Sequence, residues 1–186
     1  MITTLFVIST VALALTSCSS GTPSDPTPTT STPSVPLSSA APTTPMSPVD
    51  QAKQAALTAY RGMWQDFVAA GTTSDWQSPK LGQYATGLAL STLSRGMYAD
   101  HYNGLVTKGE PVLNPTVASV DPPANPVTVI VNDCGDSTHF LKYRADNGQP
   151  ANDGPGGRQF IKATVQKQAD RSWKVTDFGI QPVGSC

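Results

Sequence analysis

The chain has 186 residues, with 12 basic and 13 acidic side chains and a net charge of −1. That length allows one ordinary domain, and the near-neutral balance provides neither a basic stripe for nucleic acid nor a charged tail. Charged residues make up only 13% because Asp25 is the only one before Asp50; from there on the composition is ordinary.

Residues 5–15, LFVISTVALAL, form the first element. The run is too short for the ~20 residues of a bilayer span and suits the apolar core of a signal peptide, roughly 7–15 residues. Leu15-Thr16-Ser17-Cys18 follows and resembles the lipobox of bacterial lipoproteins. The resemblance implies removal of residues 1–17, a diacylglycerol thioether on Cys18, acylation of the new amine, and attachment to the outer face of the cell membrane. Met1 to Thr4 contain no Lys or Arg, which departs from the pattern. The alternative is an ordinary secretory signal with Cys18 a bystander.

Residues 18–47 are expected to be a tether. Eight prolines fall between Ser19 and Val49, among many Ser and Thr and almost no large apolar side chains. Such a segment buries too little surface to offset chain entropy. Stiffened toward polyproline II, it would reach on the order of 100 Å. A plain spacer is the simpler reading and a glycosylated stalk the other.

The folded domain is expected over 48–186. Ser47-Pro48-Val49-Asp50 is a helix start, with a capping hydroxyl, a proline in the first turn and an acid three residues on. Val49, Ala52, Ala56, Tyr60, Met63 and Phe67 then recur at helical spacing, widened by Leu57, Trp64 and Val68, up to Gly71. Ser78-Pro79 starts a short helix through Tyr84 and Ala85. Leu88, Leu90, Leu93, Met97 and Tyr98 carry a third helix toward Gly104. Prolines at 111, 115, 122, 123 and 126 then forbid a long helix. TVASVD, VTVIVNDC, THFLKYR, RQFIKATVQKQ and SWKVTDFGI read as strands of an antiparallel meander. Helices followed by strands predict an α+β domain, its helices packed on one face of a curved antiparallel sheet.

This order, with the YADHYNGLVTKGEPV and VNDCGDST segments and a last strand ending near a C-terminal cysteine, resembles the NTF2-like (SnoaL-like) cone fold. With LTSC and the Thr/Pro tether it resembles small actinobacterial lipoproteins carrying such a domain. The resemblance covers roughly 48–186 and implies fold and location more than function. With Cys18 taken by lipid, Cys134 and Cys186 are the remaining pair, in a disulfide-permissive compartment. A free thiol at Cys186 or an intermolecular bridge are the alternatives.

No catalytic constellation stands out, and no metal or cofactor is expected. His101 falls at a helix end, and His139 alternates with Phe140 on a predicted strand. Asp133 and Asp136 flank Cys134 in NDCGD, where a strand-end turn is a simpler account than an acid/base pair. The loop at 145–157 resembles a calcium loop only faintly, lacking the closing Glu. Tyr60, Trp64, Tyr84, Tyr98 and Tyr102 are candidates to roof a cavity for a small apolar ligand, with plain core packing as the alternative. The expected function is a non-catalytic, membrane-anchored module that binds a small ligand or a cell-envelope protein. A small cavity enzyme (isomerase, dehydratase or hydrolase) is the alternative, and pairing into a homodimer through the outer sheet face is a third possibility.

Overall fold

The computed structural model describes residues 45–151 and 154–186. The signal segment, Cys18 and the tether up to Thr44 lie outside the described residues, as do Asn152 and Asp153. Helix α1 spans Pro48–Gly71, α2 Leu81–Tyr84 and α3 Gly87–Tyr102. Strands follow: β1 Leu105–Lys108, β2 Thr116–Asp121, β3 Thr128–Asp136, β4 Leu141–Arg144, β5 Arg158–Lys167 and β6 Trp173–Ile180. The domain is therefore α+β. Among the described residues no helix is long and apolar enough to cross a membrane.

The start of α1 is built as its sequence suggests. The Ser47 hydroxyl oxygen accepts from the Asp50 N–H at 3.1 Å, and Pro48 occupies the first turn. The inner face of α1 combines alanines with large residues: Ala52, Ala56 and Ala59 let the helix sit close to the sheet, while Tyr60, Met63 and Trp64 fill the space beyond. At Gly62 the helix meets α2 so closely that a Cβ would lie 2.5 Å from the Tyr84 ring.

The main sheet has the order β2-β3-β5-β6, all antiparallel. Its period-two pattern turns Val129, Val131, Ile161, Ala163, Val165 and Val175 toward the helices. The opposite face carries polar side chains such as Asn132, Lys162 and Thr164. Bulges between Val117 and Ser119 and between Thr164 and Val165 interrupt the register, and such irregularities bend and twist strands around a packed layer.

Four expectations need correction. A strand at 105–108 was not anticipated; it pairs with β4 in a separate two-stranded sheet, with Thr107 opposite Lys142. The strands are therefore not a simple meander, because β3 pairs directly with β5 and β4 leaves the main sheet. His139 lies in a turn rather than on a strand, because the Asp136 carboxylate accepts from the Thr138 N–H at 2.9 Å and turns the chain. Leu88, placed on the inner face of the third helix, is exposed; that helix buries Ala89, Leu93 and Met97 instead.

Cys134 and Cys186 form a disulfide, with 6.0 Å between their Cα atoms. It ties the segment after β6 to the sheet, helped by the Gly184 N–H donating to the Arg158 carbonyl at 2.7 Å. The Arg158 guanidinium lies 3.2 Å from the Cys134 sulfur.

Candidate functional site

Two clefts, partly open to solvent, lie beside α1. One compartment of about 350 Å³ lies beside Trp64, Val68, Pro111 and Leu113, with Arg61 and Glu110 also lining it. A second, of about 160 Å³, is almost wholly apolar and is walled by Trp64, Phe67, Gly135, Phe140, Ile161 and Ile180. Trp64 lines both. Its ring sits at the centre of an edge-to-face cluster, 6.5 Å from Tyr60, 5.9 Å from Phe67 and 6.3 Å from Phe178.

Polar groups converge at the deep end of this cluster. Asp133 is 3% exposed and Tyr60 fully buried. The Tyr60 hydroxyl donates to Asp133 Oδ2 at 3.0 Å, and the Asn114 backbone N–H donates to Oδ1 at 2.7 Å. Burial, and then the Asp133 charge, push the Tyr60 phenol far above the usual tyrosine value, while the Trp64 indole acts in the opposite direction. The indole N–H lies close enough to favour the phenolate, yet it makes no hydrogen bond of good geometry and is buried without a partner. The N–H therefore faces the Tyr60 hydroxyl and is not open to either compartment.

Asp133 corrects the turn expected at NDCGD. It sits inside β3, opposite Ile161, and continues the inward row Val129, Val131, Asp133 and Gly135. Counting by twos from Val129 would have found it. The absence of a side chain at Gly135 opens the apolar compartment there: a Cβ would stand 3.9 Å from Asp133 Oδ2 and 2.9 Å from Ile161 Cδ1. Asp136, at the strand end, does make the expected turn.

The five aromatic candidates do not gather at one site. Trp64 lines the compartments and Tyr60 packs edge-to-face behind it, whereas Tyr84 packs between α1 and α2 against Gly62. Tyr98 and Tyr102 are 50% and 80% exposed and stack on each other outside the domain. Their failure to roof the cavity has a geometric cause. The inward stripe of α3 runs Ala89, Leu93, Met97 and Asp100, which places Tyr98 and Tyr102 away from the core. His101 is exposed at the end of α3. Among the described residues no group of three His, Cys, Asp or Glu side chains gathers as metal ligands would.

No family model and no curated protein matches the chain. Solved structures similar to it include two of which 95% and 94% of the chain is covered. One is the intermembrane space region of chloroplast protein ARC6, at 15% identity over 69% of this chain and 95% of that one, with a TM-score of 0.49. The other is a ketosteroid isomerase-like protein from Erwinia carotovora atroseptica SCRI1043, at 10% identity over 69% and 94%, with a TM-score of 0.44. No residue role is transferred from either; the site rests on this chain's own geometry.

Proposed function

We propose that this protein is an exported, lipid-anchored binding module: an NTF2-like cone carried on a proline-rich tether from Cys18, outside the cell membrane. Its ligand is small and mainly apolar. The observation that supports this reading most is the Trp64 ring, which is shared by two largely apolar compartments. The anchor rests on the LTSC motif and the tether composition alone.

The enzyme reading ranks second. Asp133 is a buried carboxylate near the cavity that could serve as a base, and this is the observation in its favour. Yet both of its oxygens already accept hydrogen bonds, from Tyr60 and from Asn114, and neither Tyr60 nor Asp133 lines a compartment. That arrangement suits a structural anchor better than a group that must meet substrate.

The test compares a medium-chain ketone with the alkane of equal length, by titration against purified protein. Both should bind, and Gly135→Leu, whose side chain would enter the apolar compartment, should weaken both by about tenfold. Binding unmoved by Gly135→Leu would place the ligand elsewhere, and binding of neither would remove the cavity reading. The anchor is tested separately: Cys18→Ala should move the protein from the membrane fraction to the soluble exported fraction. An unchanged distribution would count against lipidation.

A further inference from the structure

A third compartment, of about 460 Å³, opens between α3, β4 and the segment Pro155–Gly156. It shares Phe67, Phe140 and Ile180 with the apolar compartment next to Trp64. These three side chains, with Ser137 and Gln159, are a common wall of the two compartments and offer an apolar surface for an alkyl chain. The outer end is different in kind. Asp100, Thr107 and Lys142 line it, and Asp100 Oδ1 stands 2.7 Å from Lys142 Nζ. Asp100 is 8% exposed, and the Thr107 hydroxyl is buried without a partner. The fold brings these groups together from three elements: Asp100 continues the inward stripe of α3, while Thr107 and Lys142 are opposite each other in the β1–β4 register.

We propose that this end is the head-group subsite for a neutral amphiphile, an uncharged polar head on a single alkyl chain. The inference rests on the reading that the cavity binds a ligand. The pair of charges decides the class. An anionic head reaching Lys142 would lie beside the Asp100 carboxylate, and a cationic head reaching Asp100 would lie beside the Lys142 ammonium; like charges so placed oppose binding. A hydroxyl or amide head meets no such opposition. It can donate to the free lone pairs of Asp100 and accept from the remaining N–H groups of Lys142. Gly96, one turn before Asp100, lines the same mouth, and a Cβ there would meet nothing within 4 Å. The missing side chain keeps the entrance wide.

The probes are monodecanoylglycerol, decanoate and decyltrimethylammonium, each below its micelle concentration, titrated against the purified protein at neutral pH. The neutral probe should bind about tenfold more tightly than either charged one. Asp100→Asn leaves Lys142 without its partner and should raise decanoate affinity by about tenfold. Lys142→Gln should do the same for decyltrimethylammonium. Gly96→Leu, which fills open space at an exposed helix position, should weaken the neutral probe by about tenfold without lowering the unfolding midpoint. Equal binding of all three probes by the wild type would overturn the subsite, as would charge variants that leave the preference unmoved. Binding of plain decane with no preference for any head would overturn the subsite and keep the cavity. Failure of decane and all three probes would overturn both.

Discussion

Replacing Tyr60 with Phe removes one partner of the buried Asp133 carboxylate. The ring stays, with its packing against Trp64, but Asp133 loses the hydroxyl donor on Oδ2 and keeps only the Asn114 N–H on Oδ1. A hydrogen bond to a charged acceptor contributes about 1.5–3 kcal/mol. With Asp133 only 3% exposed, water cannot readily replace it, so the expected loss at pH 7 is about 2 kcal/mol. The pH dependence supplies a second, independent signature. The native phenol resists ionisation because of burial and the Asp133 charge, so its folded value lies above the unfolded value of about 10. A raised value means that the stabilisation is complete below pH 10 and is lost as pH rises, because the unfolded chain ionises first. At pH 11 the wild type has lost about 1.4 kcal/mol through this residue, and the Phe variant has lost none of it. Urea unfolding followed by far-UV circular dichroism at pH 7, 9.5 and 11 measures both effects. The gap between the two proteins should be about 2 kcal/mol at pH 7 and narrow by about 1.4 kcal/mol at pH 11. A gap under about 0.5 kcal/mol at neutral pH, or one that does not narrow, would refute the reasoning.

Three further outcomes are expected. Replacing Cys134 and Cys186 together by Ser opens a loop with a sequence separation of 52 and should lower stability by about 4 kcal/mol on the chain-entropy model, read as a shift in the urea midpoint. Gly62→Ala drives a methyl group against the Tyr84 ring, 2.5 Å away, and should cost about 1–3 kcal/mol by thermal unfolding, with the α1–α2 contact loosened. Asp66 has a buried, unpartnered oxygen, and burial raises its carboxyl above the usual range against the opposing pull of Lys80. A raised carboxylate value means that the native state is favoured at low pH and loses that advantage as pH rises. Asp66→Asn should therefore raise the melting temperature at pH 7, with the gain shrinking as pH falls through the carboxylate range. A gain independent of pH would contradict this account of Asp66.

Much of the architecture is legible in the residues themselves. Ser47-Pro48, the helical spacing through Phe67 and the β-branched run at 127–131 each form the element their pattern predicts. Local pattern fails where tertiary pairing decides. Leu105–Lys108 is four residues beside a glycine and becomes a strand because β4 is there to pair with it. Asp133 sits among Asn, Cys, Gly and Asp, residues that favour turns, yet strand register carries it inward and Tyr60, 73 positions away, supplies its partner. No local signal encodes that contact. Tyr98 and Tyr102 mislead for a related reason. Aromatic residues on a helix look like core, and only the rotation of α3 against β6 and β1 shows that the helix buries Leu93, Met97 and Asp100 instead. Trp64 falls on the widened apolar face of α1, and that position is buried.

The central claim is that the space around Trp64 holds a molecule. Native mass spectrometry of the protein purified gently from an exporting host, compared with its denatured mass, tests this most directly. The account predicts a retained mass that is lost on denaturation, retained less by Gly135→Leu, whose side chain would occupy the apolar compartment. A bare protein that also takes up none of the ketone, alkane or amphiphile probes would contradict it.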